Sequence, residues 1–106
     1  MDTVDARKKQ LRLVLLWLLV ASRGGSMRLK ILNHLRNEPS NAHRISSALD
    51  VNYRTVEHHL KVLSENSLII SKGGNYGTVY FLDPYLEENY FLVESLFDRK
   101  RGDTER

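Results

Sequence analysis

Apolar positions between residues 5 and 21 fall into two stripes. Leu11, Val14, Leu15 and Leu18 make one, and Leu13, Leu16, Trp17 and Val20 make the other. Spacings of three and four residues predict a helix, and two stripes make it apolar nearly all round. Such a helix needs cover on most sides. A small domain rarely supplies that much, so a partner subunit is expected over the second stripe. Gly24-Gly25 then breaks the chain.

A second helix is predicted over 26–37, with Ser26 as N-cap and Met27, Ile31, Leu32 and Leu35 as its core stripe. Pro39 ends it. Ser40 or Asn41 can cap a short helix over 41–49, with Ala42, Ile45, Ala48 and Leu49 inward. Asp50-Val51 reads as a tight turn. Asn52 caps a longer helix to about residue 66, whose Val56, Leu60 and Leu63 lie at i, i+4 and i+7. Then the period changes. Residues 68–72 and 78–82 are rich in β-formers and flank a glycine turn at 73–77, which predicts a hairpin. Asp83-Pro84 opens a last helix over roughly 84–100, with Leu86, Tyr90, Val93 and Phe97 as its stripe.

This order predicts an α+β, mainly helical chain: a winged helix-turn-helix with extra N- and C-terminal helices that form a dimer interface. The expected divisions are 1–24 for an N-terminal dimerisation helix, 25–83 for a DNA-binding unit, and 84–106 for a C-terminal dimerisation helix and tail. Leu11, Val14, Leu15, Trp17, Leu18, Leu86, Tyr90, Val93 and Phe97 are the expected interface residues.

In such a fold the 41–49 helix braces the 52–66 helix so that it enters the major groove, which is wide enough for one helix. With Val56, Leu60 and Leu63 inward, the outer face carries Tyr53, Arg54, Glu57, His58 and Lys61. Arg54, His58 and Lys61 form one ridge that can bond base edges or phosphate. Asn52, Tyr53 and Thr55 sit at the helix start, where backbone N–H groups also favour phosphate. Glu57 would repel phosphate, so it is expected to face a base edge, Arg54 or Lys61. In the wing, Lys72, Asn75 and Tyr76 are the contact candidates.

Charge qualifies this picture. The net charge of the 106 residues is +3. Residues 1–36 carry eight Lys/Arg against Asp2 and Asp5, residues 37–82 balance, and residues 83–106 carry four Lys/Arg against seven acids. The groove-reading unit is therefore not itself basic. Phosphate attraction would draw on Arg23, Arg28, Lys30 and the run Arg7-Lys8-Lys9. That basic run before an apolar stretch has the order of a secretory leader, but Asp2 and Asp5 are unusual in one. The stretch is also shorter than the ~20 residues that span a bilayer. A buried helix and a cytoplasmic protein are expected, with no membrane partner.

There is no cysteine, which removes disulfides, cysteine zinc sites and thiol nucleophiles. There is no glycine-rich phosphate loop and no His-x-x-x-His, so no enzyme, cofactor or metal is expected. His58 and His59 are adjacent on a helix and point apart, a poor chelate. His59 reads as a packing residue.

Met27-Arg28-Leu29-Lys30-Ile31-Leu32 resembles the R-L-x-I-L signature of the first core helix in ArsR-type regulators. Residues 53–63, YRTVEHHLKVL, resemble that family's recognition-helix pattern x-S-T-V-S-x-H-L-x-x-L. Glu65-Asn66-Ser67-Leu68-Ile69 and the strand Val79-Tyr80-Phe81-Leu82 are similar to its wing. The likeness spans roughly 25–82. It implies a homodimeric transcriptional regulator on a palindromic double-stranded DNA site, with Thr55, His58 and Lys61 at contact positions. A repressor is the expected role, with no effector named by the sequence. The metal-sensing members' cysteine pairs are missing, and residues 84–100 contain no His. The alternative is a winged-helix interaction module that docks through its apolar N-terminal helix.

Overall fold

The computed structural model describes residues 3–74 and 77–104. The first helix, α1 (Thr3–Leu15), continues into a π-helical segment, Leu16–Ala21. Of the two stripes, the first turns inward: Leu15 and Leu18 are buried, and Leu11 and Val14 pack against the core. The second stays open, with Leu13 53%, Leu16 42%, Trp17 62% and Val20 38% exposed.

Helix α2 (Gly25–Asn37) begins earlier than predicted. Gly24, with φ 88°, is its N-cap, not Ser26. A Cβ on Gly25 would lie 2.2 Å from the Leu19 carbonyl oxygen, so only glycine permits this close crossing of arm and helix. Ile31, Leu32 and Leu35 enter the core as expected. A two-residue strand, β1 (Ser40–Asn41), follows and was not legible as a strand. Asn41 caps α3 (Ala42–Leu49), its side chain accepting from the Arg44 N–H at 2.8 Å. Ala42 and Ile45 are buried, while Ala48 is exposed. Asp50 turns the chain in a left-handed conformation.

Asn52 caps α4 (Tyr53–Glu65) through the Arg54 N–H. The wing strands are β2 (Ile69–Gly74) and β3 (Gly77–Leu82). They pair antiparallel from Ile69↔Leu82 to Gly74↔Gly77, and β1 adds to β3, giving the order β1-β3-β2. The predicted last helix is two. Asp83 caps α5 (Pro84–Glu88) by accepting from the Tyr85 and Leu86 N–H groups. The Asn89 amide then donates to the Tyr85 carbonyl at 2.8 Å and competes with helix continuation. The chain restarts as α6 (Phe91–Thr104).

One apolar cluster unites the arm, α2, α3, α4, the wing base, α5 and α6. This corrects the expected interface set. Leu15, Leu18, Leu86, Tyr90 and Val93 are core residues of the protomer, and Leu11, Val14 and Phe97 are packed against that core. Of the nine, Trp17 is the one with its face open. Among the described residues, no helix is long and apolar enough to cross a membrane. No group of three or more His, Cys, Asp or Glu that could hold a metal ion occurs among them.

Candidate nucleic-acid interface

Helix α4 is amphipathic with a sharp boundary. Val56, Leu60 and Leu63 are at most 1% exposed. Arg54, Thr55, Glu57, His58 and Lys61 are all exposed. The predicted ridge of Arg54, His58 and Lys61 is therefore present on one face, spaced by one helical turn at each step.

The start of α4 is fixed from two sides. The Ser46 hydroxyl donates to the Val51 carbonyl and ties the end of α3 to the turn. Tyr53 is half-buried and stacks on His43 of α3, ring centroids 4.2 Å apart. Its hydroxyl is held protonated above the ordinary range. The chief cause is a hydrogen bond to Glu57, followed by partial desolvation and the carboxylate's charge. Glu57 thus engages Tyr53. It forms no ion pair with Arg54 or Lys61 among the described residues.

Strand register decides what the wing offers. Lys72 pairs with Val79, and its ammonium lies 5.6 Å from the Phe81 ring centroid, on the face turned away from α4. Thr78 and Tyr80 take the other face. With Asn41, His43, Tyr53, Glu57 and Gly77 they line a cleft of about 350 Å³ between the start of α4 and the wing. The sequence reading missed Asn41, His43, Thr78 and Tyr80 as cleft residues. Period-two alternation in β3 carried the signal for the last two. The expected contacts Asn75 and Tyr76 lie outside the described residues.

Two cationic expectations need correction. Arg28 does not face solvent. It is 4% exposed, and its guanidinium donates to the Leu18 carbonyl (2.9 Å), the Ser22 hydroxyl (2.6 Å) and the Arg23 carbonyl (2.9 Å). Its Nε and Nη2 donors are thus taken by the protein, and the group is shielded from a phosphate on the surface. The N-terminal basic run is also displaced from the ridge. Arg7 lies 3.8 Å over the Tyr85 ring and shares a cavity with Asn66 and Ser67, just beyond the C-terminal end of α4. Arg54 is at the other end, roughly 18 Å away along a 13-residue helix. Arg23 and Lys30 remain exposed.

His59 is 7% exposed, the packing residue its position predicted. Its Nδ1 lies 3.4 Å from Arg28 Nη1. Burial first, then the Arg28 and His58 charges, hold its pKa below the ordinary 6.5. The ring is neutral with Nδ1 accepting.

The family model for bacterial regulatory proteins of the arsR family matches residues 25–71. No curated protein matches the chain. Among solved structures, it is similar to the homodimeric winged helix-turn-helix DNA-binding domain Mb0332 of Mycobacterium bovis, a possible ArsR-family transcriptional regulator. That match has 18% identity, covers 94% of this chain and 90% of that one, and has a TM-score of 0.67. The transcriptional regulator HlyU of Vibrio vulnificus matches at 21% identity over 92% of this chain and 99% of its own, with a TM-score of 0.64. The Zalpha domain of zebrafish PKZ matches at 23% identity over 58% of this chain and 98% of its own, TM-score 0.56. Identities this low show a shared fold. That fold is the winged helix-turn-helix.

Proposed function

We propose, from the match of residues 25–71 to the model of the bacterial regulatory proteins of the arsR family, that the chain is a homodimeric, sequence-specific repressor that reads the major groove with α4. One observation carries the reading. The ridge of Arg54, His58 and Lys61 stands on a helix whose opposite face is wholly buried and whose first turn is braced by α3. Arg54 would bond guanine or phosphate, and His58 and Lys61 base edges or phosphate. Asn52, Tyr53 and Thr55 would meet the backbone at the helix start, with Glu57 steadying Tyr53. The cleft between α4 and the wing admits a flanking backbone segment. Lys72 would reach phosphate from the outer face of the wing.

The open stripe of Leu13, Leu16, Trp17 and Val20 supports a homodimer, since contiguous apolar surface on a small domain marks an interface. The homodimeric state of the Mycobacterium bovis domain supports it too. Two copies of α4 about a two-fold axis would read half-sites about one helical turn apart. Residues 1–24 and 84–106 would then serve assembly and 25–83 would serve DNA, in the cytoplasm. The same stripe favours one second reading, an interaction module docked on a different protein.

Fluorescence anisotropy on DNA selected by the protein tests the proposal. Arg54→Ala with Lys61→Ala is expected to weaken binding and to reduce the salt slope by about two. Unchanged affinity and slope would place the contact face elsewhere.

A further inference from the structure

Arg28 presents a buried cation with no carboxylate beside it. Among the described residues, its partners are all neutral: the Leu18 and Arg23 carbonyls, the Ser22 hydroxyl and the His59 ring. A buried charge ordinarily pairs with an opposite one. Here the compensation is a helix end. The Leu18 carbonyl belongs to the π-helical segment and the Arg23 carbonyl to the turn that leaves it. Terminal carbonyls carry the negative end of the helix dipole, which favours a cation. The Ser22 hydroxyl donates to the same Leu18 carbonyl at 3.3 Å.

The fourth partner lies on a different element. His59 projects from the back of α4, one residue from the exposed His58 of the ridge. Gly24 makes room for this meeting. A Cβ there would stand 2.8 Å from His59 Cε1 and 3.0 Å from Arg28 Nη1, and its φ of 88° disfavours any other residue. One guanidinium thus joins the end of the N-terminal arm to the recognition helix. The arm segment it holds carries the open Leu16, Trp17 and Val20 on its other side.

We propose that Arg28 is a positioning residue, a clamp through His59 that fixes α4 to the arm, so that the groove-reading ridge and the open apolar stripe move as one body. This rests on the reading of α4 as the DNA-contacting helix. The clamp requires Nδ1 of His59 as an acceptor. Protonation would put an N–H there, facing the guanidinium, and open the clamp. The charged or titratable groups that bear on His59 are Arg28 from α2 and His58 from α4. From the turn, Gly24 lies against the ring.

The test uses the full chain in a His58→Gln background, which leaves His59 as the one histidine of α4, with DNA selected by that background protein. Specific DNA affinity and amide hydrogen exchange are measured from pH 8 to pH 5 for the parent, His59→Asn and His59→Leu. Asn can place an oxygen near the Nδ1 position, and Leu cannot. The parent should lose affinity progressively as pH falls below the ordinary imidazole range, by up to about tenfold once His59 is protonated. His59→Asn should hold near-parent affinity at pH 8 with a flat profile. His59→Leu should bind about tenfold more weakly at every pH. In His59→Leu the Ser22–Gly25 turn and α4 should lose exchange protection together. Equal affinities and equal pH profiles for all three would overturn the clamp. Should His59→Leu fail to fold, the other two profiles decide: a flat parent profile overturns the clamp, and a fall restored by Asn upholds it. Should the wild-type chain select no DNA, the reading of α4 fails separately. Exchange then judges the clamp alone, and unchanged protection of the turn in His59→Asn at pH 5 and pH 8 alike, with the parent showing no acid loss, overturns it.

Discussion

Tyr53 stacks on His43 with ring centroids 4.2 Å apart and planes 19° from parallel. The contact joins the first residue of α4 to the second residue of α3. It ties the start of α4 to α3. Removing it should loosen the start of α4 without opening the core, because both rings lie at the edge of the packed cluster. His43→Ala is expected to weaken specific DNA binding about three- to tenfold, on the scale of one aromatic pair. Helix content should be unchanged. Tyr53→Phe keeps the stack and loses only the hydroxyl's bond to Glu57, so it should bind more nearly like the wild type. Anisotropy and circular dichroism on the three proteins check this order. Equal binding by His43→Ala and wild type would remove the stack from the account of positioning.

The two stripes of the N-terminal helix make opposite predictions. Trp17 and Leu16 are open, whereas Leu15 and Leu18 are core. Trp17→Glu should leave monomer stability within about 0.5 kcal/mol and dissociate the proposed dimer. Leu15→Ala should cost about 2–5 kcal/mol, because it leaves a cavity in a site with no exposure. Sedimentation velocity and thermal melts separate the outcomes. A Trp17→Glu protein that remains dimeric would shift the interface to another surface.

Two buried groups contribute to the pH dependence of stability. His59 has a folded pKa below the ordinary 6.5, so the unfolded chain takes up its proton first as pH falls. Its contribution is therefore complete above about 6.5 and is lost progressively below it, down to the folded pKa. Tyr90 works at the other end. Its hydroxyl donates to Asn33 Oδ1, and burial, the largest cause, raises its pKa from 10 to about 12. Stability from Tyr90 is complete below pH 10 and is lost as pH rises toward 12. Chemical denaturation across pH should show both shoulders. His59→Asn should flatten the acid one and Tyr90→Phe the alkaline one. An acid shoulder unchanged in His59→Asn would assign it to another group.

Helix α4 was legible because its pattern is unambiguous. Val56, Leu60 and Leu63 repeat at helical spacing, and the opposite face, with Arg54, Glu57, His58 and Lys61, is polar. The N-terminal helix was legible as a helix but not in orientation, because both of its stripes are apolar and sequence alone does not rank them. The interface set consequently drew mainly on the stripe that the core consumes. Arg28 was hidden for a different reason. An arginine in a basic run reads as solvated, and only the crossing of the arm over Gly25 brings the Leu18 carbonyl to it. The break at Asn89 was masked by Leu86, Tyr90, Val93 and Phe97, whose spacing continues through it. The amide of one side chain, bonded back to Tyr85, ends α5. Strand β1 is two residues long, too short for any periodicity to register.

Selection of bound sequences from a random pool of double-stranded DNA tests the central claim most directly, since it asks at once for affinity, specificity and symmetry. The ridge on α4 and the open stripe on the arm together predict an enriched inverted repeat, with half-site centres about 10–10.5 base pairs apart or a multiple of that. Arg54→Ala should relax the preference at one position in each half-site and cost about 1–3 kcal/mol there. A pool that returns no enriched sequence, or a motif that Arg54→Ala leaves intact, would contradict the assignment of α4 as the helix that reads DNA.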